Sequence, residues 1–193
     1  WNGMWPNHGP RDTDKDETRP VPFPRTFYIE RDDFRQDPPD DFFRLAPGRE
    51  VRLRHAYFFT CEEVNRDEDG TVTELRGTID RDTRGATAPD GRSPEGTLHW
   101  VSASHGAPFE ARLYDRLFEV PDPDAREKHF TEIINPDSLN VRKGVLEPAV
   151  RDLDADQRVQ FERQGYFWPD PEDATPDALV YNQIVPLRDT WGG

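Results

Sequence analysis

The chain has 193 residues, of which 39 are acidic and 25 basic, and its formal net charge is -14. So negative a surface excludes tight, sequence-independent binding to RNA, because the RNA phosphates would be repelled. Hydrophobic residues make up only 33% of the chain, which predicts a thin core and a large surface, as in small barrels or sandwiches.

Short strands separated by acidic turns are predicted along the chain, which contains 19 prolines and 13 glycines. In chain order the strand-like runs are 27–30, 51–64, 71–80, 97–104, 109–120, 141–150, 159–168 and 178–189. The stretch NRDEDG (65–70) predicts a hairpin turn between two of them. Helix signals are confined to 127–134, with a helical turn at 32–35. The pattern predicts an all-β protein with one or two short helices.

Cys61 is the only cysteine, so no disulfide can form within the chain and a reducing, cytoplasmic setting is expected. No apolar run is long enough to cross a bilayer. The first residues, WNGMWPNHGP, lack the basic and apolar regions of a signal peptide and do not begin with Met. They indicate the middle of a longer polypeptide.

A calcium loop is suggested by Asn65, Asp67, Asp69 and Gly70, which match the first half of an EF-hand. The twelfth position of that loop requires a bidentate Glu, but it is Arg76, and the flanking segments are strand-like. A hairpin turn is therefore the better interpretation of this stretch.

Catalytic signatures are also missing from the sequence. Ser102, Ser104 and His105 lie together in SASHG, but without the strand–turn–helix elbow that exposes a nucleophilic serine. A metal site built from His99 and His105, or from Cys61, has no supporting ligand spacing. No phosphate-binding loop of the G-x-x-x-x-G-K-[ST] or G-x-G-x-x-G kind occurs. The sequence predicts no catalytic residue, metal site or cofactor site in this chain.

Arginines on predicted strands are the remaining candidates for function. In an extended strand Arg52 and Arg54 point to one face, so both guanidinium groups reach outward if Val51 and Leu53 face the core. Ordinary strand arginines that pair with the many loop carboxylates are the alternative.

A second candidate segment is QFERQGYF (160–167). Gln160 and Arg163 carry the amide and guanidinium groups that read base edges. The aromatic rings of Tyr57, Tyr166 and Phe167 are suited to stacking on unpaired bases. These two segments together favour a binding function over catalysis.

Six segments in order resemble the C-terminal anticodon-binding region of the glutaminyl-tRNA synthetases, within the class I glutamyl/glutaminyl family. They are residues 21–35, GREVRLRHAY (48–57), residues 96–118, INPDSL (134–139), QFERQGYF (160–167) and VPLRDTW (185–191). HWVSA (99–103) and LYDRLF (113–118) are the most specific, and the match runs from about residue 4 to Trp191. Eukaryotic and archaeal-type glutamyl-tRNA synthetases share this architecture and are the nearest alternative.

The resemblance implies two small β-barrels. The proximal barrel would be discontinuous, built from residues 1–35 and 120–193, and the distal barrel, residues 36–119, would be inserted in it. It further implies that the parent enzyme attaches glutamine to its tRNA with ATP and magnesium, and that the ATP- and glutamine-binding half lies outside this chain. The implied partners are the anticodon loop of glutamine tRNAs and the catalytic domain of the same polypeptide, which the resemblance implies to be a monomer.

The resemblance also implies anticodon-binding roles for five residues, which are Arg44, Arg52, Arg54, Gln160 and Arg163. Arg44 would contact the third anticodon base. Arg52 and Arg54 would lie at the first base and its phosphates. Gln160 and Arg163 would lie at the middle base, a uridine.

Two departures from the family pattern bear on these roles. Phe43 stands where relatives often have Lys, which removes one expected charge contact to the anticodon strand. A further family arginine for the middle base would precede Trp1. The second alternative comes from another class of protein. It is a non-catalytic β-barrel interaction module that uses its five tryptophans as a ligand surface.

Overall fold

The computed structural model of the protein describes residues 2–6, 18–85, 88–124, 129–154 and 156–187, and for residues 2–6 and 18 it describes the backbone alone. Contacts divide the chain into two units, Trp1–Gly106 and Ala107–Gly193. Each unit has its own sheets and its own aromatic core.

The described residues are mostly strands, which confirms the predicted all-β class. The strands are β1 (Asn2–Pro6), β2 (Thr18–Pro22), β3 (Phe27–Tyr28), β4 (Glu50–Leu53), β5 (Phe58–Arg66), β6 (Val72–Asp80), β7 (Thr97–Leu98), β8 (Val101–Ser102), β9 (Ala107–Tyr114), β10 (Leu139–Leu146), β11 (Val159–Phe161), β12 (Gly165–Pro169) and β13 (Leu179–Pro186). In the described residues the helices are all 3₁₀ helices, at Arg31–Asp33, Arg81–Thr83, Phe130–Glu132 and Pro148–Asp152.

The helix predicted over 127–134 is therefore much shorter. Residues 127 and 128 lie outside the described residues, and the rest forms only the 3₁₀ turn Phe130–Glu132. Its cap is His129, whose side chain accepts a hydrogen bond from the Thr131 N–H. The β-branched Ile133 and Ile134 and the following proline do not favour continuation as an α-helix. The described ranges contain four helices, all of five residues or fewer, so helices are a minor part of the fold, as the all-β prediction has it.

Unit 1 is built from three sheets with the strand orders β1-β2, β3-β8 and β6-β5-β4-β7. In β4, Val51 and Leu53 are fully buried, and the intervening Arg52 is half-buried, as the alternation predicted. Parallel pairing with β7 places Leu98 beside Leu53. The buried core of the unit is centred on Trp100, against which Phe23 and Phe27 pack edge to face.

The hairpin predicted at NRDEDG is confirmed by the antiparallel pairing of β5 with β6. The Asp67 carboxylate accepts hydrogen bonds from the backbone N–H groups of Asp69 (3.1 Å) and Thr71 (2.7 Å). Gly70 adopts a φ of 81°, which glycine reaches without strain. The acidic residues of this stretch therefore stabilise the turn.

The long strand predicted at 51–64 is wrong in one respect, because the structure breaks it into β4 and β5. The interruption is a tight turn in which the Ala56 N–H donates to the Leu53 carbonyl (2.9 Å). Local propensity did not reveal it, since the sequence here contains no glycine, proline, asparagine or aspartate to mark a turn.

Unit 2 is one five-stranded sheet with the order β10-β9-β13-β12-β11, in which β9 and β13 run parallel. One face carries the core, formed by residues such as Ala111, Phe167 and Tyr181. Phe161 stacks on Phe167 with ring centroids 4.4 Å apart, which joins β11 to β12 through the core.

The predicted domain boundaries after residues 35 and 119 stay a prediction. In unit 1, Phe23 and Phe27 belong to the same aromatic core as Trp100. In unit 2, β9 is hydrogen-bonded between β10 and β13. Within each sheet of the described residues the strand order is open, so closure into two barrels also stays a prediction.

An arginine in β9 fastens the turn that follows β12. Arg112 pairs with Glu110 (3.2 Å), Asp170 (3.0 Å) and Asp173 (2.6 Å). Asp170 also accepts hydrogen bonds from the backbone N–H of Asp173 (2.8 Å) and the side-chain amide of Asn182 (2.9 Å). These hydrogen bonds, the backbone one first, lower the pKa of Asp170 to about 2.

We expect Asp170→Asn to lower the free energy of unfolding at neutral pH. A carboxyl group whose pKa is depressed by folding stabilises the fold only while it is ionised. The difference between wild type and variant should therefore be full above about pH 4 and shrink as the pH falls through about 2. Urea unfolding across this range measures it. Asp177→Asn, at an exposed position, is the matched control, and a difference independent of pH would contradict the expectation.

We also expect Gly77→Ala to destabilise unit 1 by roughly 1–3 kcal/mol, in the range of an overpacked site. A Cβ at Gly77 would lie 1.9 Å from the Thr60 carbonyl oxygen and 2.9 Å from the Phe59 ring, so β5 and β6 would have to separate. Gly70→Asn is the control, because that position is open and asparagine tolerates its positive φ. Equal stability of the two variants in thermal unfolding would refute this account.

Candidate nucleic-acid interface

Arg54 lies in the turn that separates β4 from β5, not in a strand. The turn is closed by hydrogen bonds from the Ala56 N–H to the Leu53 carbonyl and from the Leu53 N–H to the Tyr57 carbonyl, both 2.9 Å. Arg52 and Arg54 therefore do not share a strand face, and this part of the prediction was wrong. Arg54 is exposed, whereas Arg52 is half-buried.

The backbone of Arg54 is held on both sides. Its N–H donates to the Leu98 carbonyl (2.9 Å), and its carbonyl accepts a hydrogen bond from the indole N–H of Trp100 (3.0 Å). Trp100 is only 1% exposed, so the hydrogen bond anchors the turn to the core. The arrangement presents an exposed guanidinium on a fixed backbone.

His55 gives the same turn an unusual conformation. It is the third residue of the four-residue turn and has a φ of 56°, where glycine or asparagine is usual. A non-glycine residue in this region costs on the order of 1–2 kcal/mol. Such strain persists only where the surrounding structure holds it, and it is concentrated at functional sites.

Arg52 is held differently, against an aromatic ring. Its guanidinium carbon lies 4.4 Å from the centroid of Phe58, which is buried. Burial lowers the pKa of Arg52, but the guanidinium remains protonated at neutral pH. The stacked position restricts the directions from which a ligand can contact it.

Arg92 shares this ring and was missed by the sequence analysis. Its guanidinium carbon lies 5.5 Å from the Phe58 centroid, and it forms ion pairs with Glu50 (2.9 Å), Asp80 and Asp90 (2.6 Å). These hydrogen bonds, led by that to Glu50, raise the pKa of Arg92. With three carboxylates around it, Arg92 stabilises the fold. No sequence signal distinguished it from Arg52.

Arg44 forms an ion pair with Asp33. Asp33 is 1% exposed and ends a 3₁₀ helix, so its charge requires this partner. The Arg44 side chain is 39% exposed. It therefore has a fixed position and an accessible outer edge. Its neighbour Phe43 is 63% exposed, which places an apolar ring on the surface.

In unit 2, Gln160 and Arg163 belong to the hairpin β11-β12. Gln160 is exposed and lies directly opposite Tyr166 across the two strands. Arg163 is exposed at the turn, which the Gln164 N–H closes by donating to the Phe161 carbonyl (3.0 Å). The hairpin thus brings the amide of Gln160, the ring of Tyr166 and the Arg163 turn onto one small element.

Arg163 repeats the conformation of His55. It is the third residue of its turn and has a φ of 63°. Among the described residues, these two are the only ones other than glycine with a positive φ. Each lies in one of the two segments that the sequence singled out, one in each unit.

The three aromatic residues predicted to stack on bases differ in exposure. Tyr166 is 44% exposed and can accept a stacked base. Phe167 is 2% exposed and belongs to the core, so that expectation was wrong. Tyr57 is 8% exposed, and its ring edge lines a surface cavity of unit 1.

The catalytic and metal-binding alternatives gain no support. Ser102 and Ser104 are hydrogen-bonded to Nδ1 of His105 (3.1 and 2.9 Å), but Ser102 is buried and also accepts from the His105 N–H, as in a turn. Within the described residues no cluster of three potential metal ligands occurs. No helix in the described ranges is long and apolar enough to cross a membrane.

Comparison with known proteins matches most of the chain to one family. Two family models, each described as tRNA synthetases class I (E and Q), anti-codon binding domain, match residues 3–80 and residues 97–170. E and Q are the one-letter codes for glutamate and glutamine. The first match covers the Arg54 turn and the second covers the Arg163 hairpin.

Individual relatives of the chain belong to the same family. The chain is 53% identical over 174 residues to a glutamine–tRNA ligase of Nitrobacter hamburgensis, which is 90% of this chain and 31% of that protein. It is 49% identical over 179 residues to the glutamine–tRNA ligase of Neisseria meningitidis, 90% of this chain and 32% of the relative. It is 48% identical over 186 residues to the glutamine–tRNA ligase of Yersinia enterocolitica, and this match covers 96% of this chain and 33% of the relative.

The chain thus spans about a third of the length of these relatives. Two matched domains lie in the order expected from the six segments, and all three relatives are glutamine–tRNA ligases. The chain belongs to the anticodon-binding domains of the class I tRNA synthetases for glutamate and glutamine.

Proposed function

We propose that this chain recognises the anticodon loop of glutamine tRNAs as part of a glutamine–tRNA ligase. The observation that carries the proposal is the Arg54 turn, in which an exposed arginine stands on a backbone fixed by Trp100 and Leu98. A base-reading guanidinium needs such a fixed position, because its fork must meet two acceptor atoms of a base at once.

The hairpin of unit 2 supports a second contact. Gln160 carries a donor and an acceptor on one amide, Arg163 carries a fork of donors, and Tyr166 provides an exposed ring. Unpaired bases are recognised through these three kinds of contact. We assign the middle anticodon base to this hairpin and the first base to the Arg52–Arg54 segment.

Arg44 is the proposed contact to the third base. Its ion pair with the buried Asp33 holds the guanidinium without covering its outer edge. Phe43 beside it offers a stacking surface in place of a charge.

The parent enzyme is proposed to attach glutamine to its tRNA with ATP and magnesium, in a catalytic domain outside this chain. This proposal is supported by the similarity of the chain to glutamine–tRNA ligases that are about 50% identical to it. We propose that the parent is a cytoplasmic monomer, that its catalytic domain is the second partner of this chain, and that the two barrels are divided as the family resemblance implies. A single cysteine, buried at Cys61, agrees with a reducing compartment.

We expect Arg54→Ala to weaken binding of an RNA hairpin with the glutamine anticodon loop by about 1–3 kcal/mol, the effect of losing a base-reading arginine. Titration of the 193-residue chain with labelled hairpin measures the affinity. The loss should be confined to the cognate sequence, because a hairpin with a changed first anticodon base lacks this contact already. Arg76→Ala, at an exposed position of β6, is the matched control.

For Arg163 the informative variant is Arg163→Gly, which removes the guanidinium and keeps the positive φ without strain. We expect a loss of about 1–3 kcal/mol that is specific for the middle anticodon base. Arg163→Lys should not restore it, since an ammonium lacks the planar fork. Unchanged binding by both Arg54→Ala and Arg163→Gly would refute the proposed function.

A shallow dependence on salt is expected as well. With a net charge of -14, binding must rely on few phosphate contacts, so the slope of log K against log salt should be no steeper than about -4. Affinity measured at several salt concentrations gives this slope. Tight binding to unrelated RNA with a much steeper slope would favour a general RNA-binding module, and binding to neither RNA would favour the non-nucleic-acid interaction module.

A further inference from the structure

Unit 1 contains a surface cavity that the five predicted anticodon contacts do not line. Its volume is about 500 Å³, which is within the range of small-molecule sites. Nine residues line it, and they are Phe23, Pro24, Arg25, Phe27, Tyr57, Phe59, Gly77, Ile79 and Arg81.

The walls of the cavity are aromatic and fixed. Phe23 contacts Tyr57 edge to face with centroids 5.1 Å apart, and Phe27 contacts Phe59 in the same way at 5.6 Å. Phe23 also packs on the buried Trp100, with centroids 5.0 Å apart. The rings are therefore anchored in the core and line the cavity.

Gly77 keeps this surface open. Its Cα lies so close to β5 that a Cβ would lie 1.9 Å from the Thr60 carbonyl oxygen and 2.9 Å from the ring of Phe59. Any larger residue would separate the strands and cover the Phe59 ring. The close approach of β6 therefore places the Gly77 backbone against Phe59 with no side chain between them.

The charge at the cavity is opposite to that of the whole chain. Arg25 and Arg81 are both exposed at the cavity, and none of the nine lining residues is acidic, although the chain has 39 acidic residues. In the described part of the chain, neither arginine forms an ion pair with a carboxylate. An anionic group is the natural complement of this pair.

The cavity adjoins the Arg54 turn through Tyr57. The Tyr57 carbonyl accepts the hydrogen bond from the Leu53 N–H that closes the turn, and its ring lines the cavity. Tyr57 therefore connects the backbone of the Arg54 turn to the wall of the cavity.

We propose that this cavity binds one extruded nucleobase of the tRNA anticodon loop, stacked on the aromatic walls, with an adjacent phosphate between Arg25 and Arg81. Aromatic rings next to arginines are the combination that single-stranded nucleic acid uses, because the rings stack on the base and the guanidinium groups neutralise the backbone. This proposal rests on the function proposed above and adds a contact point beyond its five residues.

The test uses the 193-residue chain and the anticodon hairpin with its glutamine anticodon. We expect Arg25→Ala and Arg81→Ala each to weaken binding roughly 3- to 10-fold and to reduce the magnitude of the salt slope by about 0.7, the contribution of one single-strand phosphate contact. Both side chains are exposed, so the fold should be retained, which circular dichroism checks. Arg76→Ala, on the same strand as Gly77, should change neither quantity.

Stacking has its own readout. A set of hairpins with 2-aminopurine at single loop positions should show one position whose fluorescence is quenched by the wild-type chain. Phe23→Leu keeps an apolar side chain at the wall but removes the ring. It should abolish that quenching and weaken binding about 5-fold or more, with the salt slope unchanged. If Phe23→Leu fails to fold, the two arginine variants alone decide the proposal.

Arg54→Ala serves as the reference that separates the two proposals. If Arg54→Ala weakens binding while Arg25→Ala and Arg81→Ala change neither affinity nor salt slope, the cavity assignment is overturned and the anticodon function stands. If none of the three has an effect and Arg163→Gly also leaves binding unchanged, both proposals fail. A parallel titration of the chain with AMP tests whether the ligand of the cavity is a free nucleotide and not the RNA hairpin. Loss of AMP binding in the arginine variants, with hairpin binding intact, would overturn the RNA assignment.

Discussion

The hydrogen bond from the Trp100 indole to the Arg54 carbonyl is the interaction on which unit 1 depends for its candidate interface. Trp100 belongs to the core, where Phe23 and Phe27 pack against its ring. The same residue therefore anchors both the arginine turn and one wall of the aromatic cavity. A buried donor must find an acceptor, so the core cannot be formed without fixing the turn.

The fixed position of the Arg54 turn explains how a chain with so negative a net charge can belong to a family of anticodon-binding domains. Some basic side chains are surrounded by carboxylates, as Arg92 and Arg112 are, each with three acidic partners. Arg54 and Arg163 at the turns, and Arg25 and Arg81 at the cavity, are exposed. Affinity from a few fixed contacts favours discrimination between bases, because the general attraction to phosphates is weak.

The sequence predicted the strand content and the NRDEDG hairpin, because Asp and Gly at fixed offsets encode that turn locally. It did not predict the break after Leu53. The residues that hold that turn, Leu98 and Trp100, lie more than 40 positions away, and propensity does not report such contacts. The same limit applies to Arg52, whose stacking on Phe58 depends on the pairing of β4 with β5. The cavity was likewise invisible, since its three lining segments meet only in the folded chain.

The two units share one structural feature, a strained turn, although their sheets differ. Each places a residue other than glycine at the third position of a tight turn, His55 in one and Arg163 in the other, with φ near 60°. Glycine would adopt this conformation more easily, but it would also leave the turn freer before folding. A side chain there means that the surrounding hydrogen bonds and core contacts offset the strain, through Trp100 in unit 1 and through the stacked Phe161 and Phe167 in unit 2. Strain held in this way gives each arginine turn one conformation, and reading a base with a two-pronged donor requires that its position be set before the RNA arrives.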